Sequence, residues 1–182
     1  MRLFLGIDIP QTNKDSIDEQ LVPIRKEYPQ LAWVPKHNYH VTVEFFGEVN
    51  IDKQNALIHK IEDMLYDQEE FHLFAGESDL FINNKLTIYL NFLREKKLEA
   101  LVERVRETAA LDNLPRKKFV AHLSLAKSRI FSKQQYFVLK KKVEKLSIDA
   151  EFAIQELVLF ESDLQGKEPQ YKKIHTFPLL KK

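Results

Sequence analysis

His40-Val41-Thr42-Val43 and His122-Leu123-Ser124-Leu125 carry one device twice: an imidazole, an apolar spacer, a hydroxyl, then a second apolar residue. Each sits in a stretch of strand type, Tyr39 to Phe46 in the first case and Phe119 to Ala126 in the second. Alternate side chains of a strand share a face. His40 and Thr42 therefore project together, with Val41, Val43 and Phe45 on the other side. His122 and Ser124 likewise project together, opposite Leu123 and Leu125. Such a chain has to bury one face of each motif strand and leave the other open.

The surrounding pattern repeats as well. Leu3 to Ile9 reads as a strand ending at Pro10. Asn13 to Glu27 reads as a helix, with Asn13 or Ser16 as cap and an interruption at Pro23. Leu31 to Val34 is a short extended piece. After the first motif strand, Asp52 to Tyr66 has Ala56, Leu57, Ile61 and Leu65 at helical spacing, and Phe71 to Gly76 is a strand. In the second half, Lys85 to Leu93 alternates as a strand and Glu95 to Ala110 carries a helical stripe of Leu98, Leu101, Val102 and Val105. The second motif strand is followed by a helix from Ser132, its N-cap, to Leu146. Ile148 to Phe160 is extended, and Tyr171 to Leu179 is a last strand. Asn83-Asn84, Leu111 to Lys118 and Asp163 to Gln170 read as loops.

Strand, helix, motif strand, helix, strand thus occurs twice, over residues 1–80 and 85–162 approximately. The order predicts two lobes related by a rough two-fold axis, with the motif strands facing each other across a groove. No Pro-, Gly- or Ser-rich linker separates the halves, so residues 1–182 are expected to form one domain of two interleaved lobes. Residue identity between the halves is low.

Composition narrows the chemistry. Net charge is +1 with 30% charged residues, so any attraction to nucleic acid must be local. There is no cysteine, which removes disulfides, thiolate nucleophiles and thiolate metal sites. The apolar run at the start is broken by Asp8 and reads as a buried strand rather than a signal peptide. No run approaches the roughly 18 apolar residues of a membrane helix. A cytoplasmic monomer without membrane contact is the expectation.

Neutral imidazole takes a proton near pH 7 and imidazolium gives one. Two of them flanking a phosphorus can serve an in-line displacement as base on water and acid on the leaving oxygen. The hydroxyls of Thr42 and Ser124 can hold the non-bridging oxygens, where charge resides. A five-membered cyclic phosphate, being strained, needs less help than a plain diester. Among the other histidines, His37 lies three residues before His40 and so on the opposite strand face, which argues against a metal pair. His59 and His72 read as surface positions, and His175 lies on the last strand.

At these residues the chain resembles the two-histidine (2H) phosphoesterase superfamily, and within it the bacterial RNA 2′,3′-cyclic phosphodiesterases, formerly called 2′-5′ RNA ligases. The likeness covers Trp33-Val34, Asn38 to Val43, Phe45 to Val49, Phe119 to Ala126, and a tail of Leu157 to Ser162, Leu164, Gly166 and Tyr171. It implies an α+β, bilobal pseudo-two-fold fold, with two antiparallel sheets flanking a central groove and helices outside. It implies opening of a 2′,3′-cyclic phosphate to a 2′-phosphomonoester with no metal or other cofactor. His40 takes the role of proton donor to the leaving 3′ oxygen and His122 that of proton acceptor from water; the residues alone do not rank these two roles. The partner would be RNA with a 2′,3′-cyclic phosphate end or a small cyclic nucleotide. Other readings are action on 2′-5′-linked oligonucleotides, including ligation as the reverse reaction, and a non-catalytic module that holds RNA ends.

Three positions depart from the family's habit. Ser124 stands where threonine is usual and lacks the methyl that stiffens χ1. Ala121 stands where proline is common. Lys127 stands where arginine is often found, and a lysine is a point charge without the bidentate fork. Lys127 and Arg129 are candidates for substrate phosphate. Phe45 is a further substrate-binding candidate: strict alternation turns it toward the core, and stacking on a base would need a bulge or a lobe edge. Arg116-Lys117-Lys118 is placed to steer RNA toward the groove, whereas Lys140-Lys141-Lys142 reads as a solvent face of its helix.

Overall fold

Alternating apolar side chains make the sheet, and the sheet positions everything else. The structure, a computed structural model, describes residues 1–83, 85–108, 118–129, 132–166 and 168–181. Its strands are β1 (Arg2–Asp8), β2 (Ala32–Trp33), β3 (His40–Glu48), β4 (Phe71–Asn83), β5 (Lys85–Phe92), β6 (His122–Ser128), β7 (Glu151–Ile154), β8 (Glu156–Asp163) and β9 (Gln170–Pro178). Their order is β7-β4-β5-β6-β3-β1-β8-β9, with β2 added on β6. The order reads alike from both ends. β3 and β6, the motif strands, are central; β1 and β5 flank them, then β8 and β4, then β9 and β7.

The two central strands pair at one point, Val41 with Leu123, in antiparallel sense. One half of the sheet is therefore β3-β1-β8-β9 and the other β6-β5-β4-β7, joined at the middle. The sequence halves do not coincide with these spatial halves. β4 follows the first motif yet pairs along β5, and β8 follows the second motif yet pairs along β1. The exchange is reciprocal.

The other described elements are helices α1 (Gln11–Gln20), α2 (Val22–Glu27), α3 (Ile51–Leu65), α4 (Lys96–Thr108) and α5 (Lys133–Val143), and a 3₁₀ turn, Lys36–Asn38. Leu57, Ile61 and Leu65 of α3, Leu98, Leu101, Val102 and Val105 of α4, and Leu139 and Val143 of α5 join one core with Val41, Val43, Leu123 and Leu125. On the opposite face of the sheet, Phe4, Val158 and Phe160 form a second, small cluster against Tyr171. β1 is consequently buried on both faces from Leu3 to Ile7.

Several elements differ from their sequence reading, each for a local reason. The single helix expected over Asn13–Glu27 is two, because Pro23 occupies the first turn of α2, where its missing N–H costs nothing. Neither Asn13 nor Ser16 caps; Pro10 holds the cap position of α1, while the Asn13 amide reaches the Glu151 carbonyl at 3.0 Å. The strand from Phe71 continues past Gly76 to Asn83, because β5 supplies a hairpin partner beyond the irregularity between Ala75 and Ser78. The extended stretch from Ile148 breaks at Gln155, where the chain leaves β4 for β1. Ser132 caps α5 through a full capping box with Gln135, as its position predicts. In the Lys140–Lys142 run, Lys140 is tied to Asp79 of β4 at 3.0 Å and Lys142 to Glu27 at 2.9 Å. Asn84 and the segment 111–117, with Arg116 and Lys117, lie outside the described residues.

Leu123 sits at the crossing of the two halves and is 1% exposed. We expect Leu123→Ala to lower unfolding free energy by about 2–5 kcal/mol, read as a lower urea midpoint with unchanged slope.

Candidate active site

Antiparallel pairing at Val41 and Leu123 places His40 toward Ser124 and Thr42 toward His122. All four project away from the core, since their neighbours Val41, Val43, Leu123 and Leu125 point into it. They line one cavity of about 540 Å³, together with Trp33, Val34, Asn38, Phe45, Lys127, Glu168, Pro169 and Tyr171. The structure thus brings together six of the seven site residues expected from sequence: His40, Thr42, Phe45, His122, Ser124 and Lys127. Arg129 is exposed just beyond β6 and is not among the lining residues.

Both histidines are held alike. His40 Nδ1 lies 2.7 Å from the Asn38 carbonyl, and His122 Nδ1 lies 2.8 Å from the Val120 carbonyl. A carbonyl only accepts, so Nδ1 carries the proton in each ring. The other nitrogen, Nε2, is left for exchange: an acceptor in the neutral ring, a donor in the charged one. That is the arrangement of an acid–base pair whose tautomer is set by the backbone.

Their surroundings differ. His40 rests in an aromatic bed, with ring centroids of Tyr171 at 4.9 Å, Phe4 at 5.0 Å and Phe160 at 6.0 Å. Burial there pushes its pKa below the ordinary imidazole value; the Asn38 carbonyl and Asp8 oppose the shift, while Lys14 and His122 add to it. His122 has Tyr89 at 5.7 Å and Phe81 at 6.3 Å. Gly6 makes the first bed possible: a Cβ there would meet the Val41 carbonyl at 3.1 Å, Phe4 at 3.3 Å and Phe160 at 3.4 Å.

Phe45 departs from its sequence reading. Strict alternation sends it to the core, yet it is 65% exposed and lines the cavity. The pairing of β1 with β3 slips twice, between Leu3 and Phe4 and between Leu5 and Gly6. Val43 and Phe46 are both core residues, three positions apart, so the bulge turns Phe45 onto the face of His40 and Thr42. Its ring lies 5.6 Å from Phe4.

His37 belongs to a 3₁₀ turn, Lys36–Asn38, rather than to the strand, and is exposed. His59 and His72 are exposed as expected. His175 turns away to Glu62 of α3, 3.1 Å distant. Among the described residues no three His, Asp or Glu side chains gather as a metal-binding group. Reasoning from sequence missed Lys14, Asp8, Asn38 and Lys173, which hold the surroundings of His40 directly or through one another. Lys14 is buried with its Nζ 2.6 Å from Asp8, and Asp8 also takes Lys173 at 2.6 Å.

Comparison with known proteins settles the family. The model of the 2′-5′ RNA ligase superfamily matches residues 14–166. The chain belongs to the 2′-5′ RNA ligase superfamily. The resemblance read from its two His-x-Thr/Ser units is thereby borne out. Relatives include a Methanocaldococcus jannaschii protein named RNA 2′,3′-cyclic phosphodiesterase, 24% identical over 96% of this chain and 98% of its own length. A Geobacillus stearothermophilus protein of the same name is 24% identical over 97% of this chain and 57% of its own length. The crystal structure of E. coli LigT complexed with 3′-AMP superposes with a TM-score of 0.78 at 20% identity, covering 98% of this chain and 97% of that one. The α+β fold is shared with that structure. No described helix of this member is long and apolar enough to cross a membrane.

Burial of His40 has a direct consequence. Its folded-state pKa lies below the unfolded value of about 6.5, so the unfolded chain binds the proton more readily. His40 therefore costs the fold nothing above that pH and destabilises it as pH falls through the window between the two values. We expect the His40 Cε1–H resonance to titrate with a midpoint below 6.5. A midpoint at or above that value contradicts the placement of the ring.

Proposed function

We propose that this chain hydrolyses RNA 2′,3′-cyclic phosphate ends to 2′-phosphomonoesters, with His40 as proton donor and His122 as proton acceptor. The reading is carried by one observation: two imidazoles, each with Nδ1 fixed to a backbone carbonyl, line the same cavity as the hydroxyls of Thr42 and Ser124. The name shared by the superfamily relatives supports the substrate.

In this scheme the phosphorus sits between the rings. His122 Nε2 takes a proton from water as the water oxygen attacks phosphorus. The P–O3′ bond breaks, and the His40 Nε2 proton passes to O3′. The products are a 2′-phosphate and a free 3′-hydroxyl, with the two protons re-equilibrated through solvent. Thr42 and Ser124 donate to the non-bridging oxygens. No step is assigned to a metal. Phe45 offers its exposed ring to the terminal base, and Lys127 adds a positive charge at the rim.

The pKa of His40 bears on its role. In the free site burial disfavours the imidazolium, the form a donor needs. A substrate phosphate brings a negative charge beside it and favours the imidazolium. Substrate binding thus loads the proton that the reaction later spends, and Asp8 assists from behind.

The test is an oligoribonucleotide ending in 2′,3′-cyclic phosphate, incubated with the protein in EDTA. A 2′-phosphate product is expected. A 3′-phosphate would reverse the leaving oxygen, and loss of turnover in EDTA would overturn the metal-free scheme. His40→Ala and His122→Ala are each expected to slow turnover by about 10²–10⁴-fold without changing the urea midpoint much. The rate should follow a bell-shaped pH profile, and a flat profile from about pH 5 to 9 would rule out imidazole acid–base work. Phe45→Ala is expected to weaken nucleotide binding by about 1–3 kcal/mol, measured by calorimetry, whereas Arg129→Ala should leave it unchanged.

A further inference from the structure

Lys14, at 6% exposure, is the one buried lysine or arginine among the described residues. Burying a charge is costly unless it is paired and hydrogen-bonded. Its Nζ is paired to Asp8 at 2.6 Å and reaches the His37 carbonyl at 3.4 Å. Asp8 is the register partner of His40 on β1. The carbonyl that Lys14 reaches precedes, by one residue, the carbonyl that holds the His40 ring. On the other side of that turn, the buried Asn38 side chain donates to the Pro169 carbonyl at 2.8 Å. The turn 36–38 is therefore gripped from α1 and from the cavity wall, and its remaining carbonyl orients His40. Val120, which orients His122, is 49% exposed.

We propose that Lys14 is a positioning residue for His40: anchored by Asp8, it fixes the turn whose Asn38 carbonyl aims the imidazole at the phosphorus. The proposal rests on the reading of His40 as proton donor. The charged and titratable groups facing His40 are Asp8 from β1, Lys14 from α1, His122 from β6 and Tyr171 from β9, with Lys173 of β9 acting through Asp8. Removing the Lys14 charge leaves Asp8 paired to Lys173, so the fold keeps a partner for that carboxylate.

The experiment is a double-mutant cycle on cyclic-phosphate hydrolysis, in single-turnover conditions at high protein concentration. Lys14→Met is expected to lower the rate by about 10²-fold, the scale of a misplaced reacting group, with substrate affinity held within about three-fold. In the His40→Ala background the same change should cost nothing further, because the residue it positions is gone. The His40 Cε1–H midpoint should rise in Lys14→Met, since a like charge is lost while Asp8 remains. A Lys14→Met effect that multiplies with that of His40→Ala, or no effect in the wild-type background, overturns the proposal. If His40→Ala itself keeps the wild-type rate, the functional reading falls first and this one with it. Should Lys14→Met be too unstable to assay, Asn38→Ala probes the same turn: non-additivity with His40→Ala supports the proposal and additivity overturns it.

Discussion

The site depends on how little β3 and β6 touch. Directly opposed residues in a full antiparallel ladder have Cβ atoms about 4.5–5.5 Å apart, which leaves no room for a phosphate between side chains of the open face. With no pairing at all, the two motif strands would have no fixed distance. Pairing at Val41 and Leu123 lies between these limits. One backbone contact sets the separation, and the divergence on either side opens the cavity that His40, Thr42, His122 and Ser124 line. The apolar spacers of the two motifs are what hold that contact, since they drive both strands onto the shared core.

The reciprocal exchange of β4 and β8 strengthens this arrangement. Were each sequence half to close on its own sheet, the halves would meet only at the crossing. Instead β4 carries the chain from the first motif to the second half, and β8 carries it back. Separating the two sequence halves would then require breaking the long ladders β4–β5 and β1–β8, although each ladder lies within one spatial half of the sheet. Each lobe is thus built from strands of both sequence halves. The near-symmetry stops at the histidines' surroundings: three aromatic rings and a buried ion pair on the His40 side, two aromatic rings on the His122 side.

Much of this was legible in the chain. Each motif puts His and Thr/Ser on one face by simple alternation, and both pairs are found there. The helical stripe Leu98, Leu101, Val102, Val105 is buried as its spacing predicts, and Ser132 caps as its type predicts. What alternation cannot express is a bulge. A bulge depends on the neighbouring strand's register, which is a tertiary property, so Phe45 was read to the wrong face. Pairing partners are equally silent in a strand's own residues: β4 runs from a distant partner, β7, to its hairpin partner β5, and beyond Gln155 the chain passes from β4 to β1. Lys14, Asp8 and Lys173 are ordinary charged residues in sequence. Only folding reveals that one of them is buried behind a histidine.

Phe45 and Gly6 show how the two faces of β1 and β3 were reconciled. A strand buried on both sides, as β1 is, leaves no space for large side chains at every position of the cavity face. Gly6 yields that space to Phe4 and Phe160, whose rings then stack at 5.0 Å and make the bed for His40. The slip in β3 that accompanies this close approach turns Phe45 out of the core and onto the rim. Burial in that bed lowers the basicity of the imidazole, and the slip supplies an exposed ring on the same face. Adding a methyl at Gly6 would force Phe4 or Phe160 to move, and either movement would disturb both the bed and the rim at once.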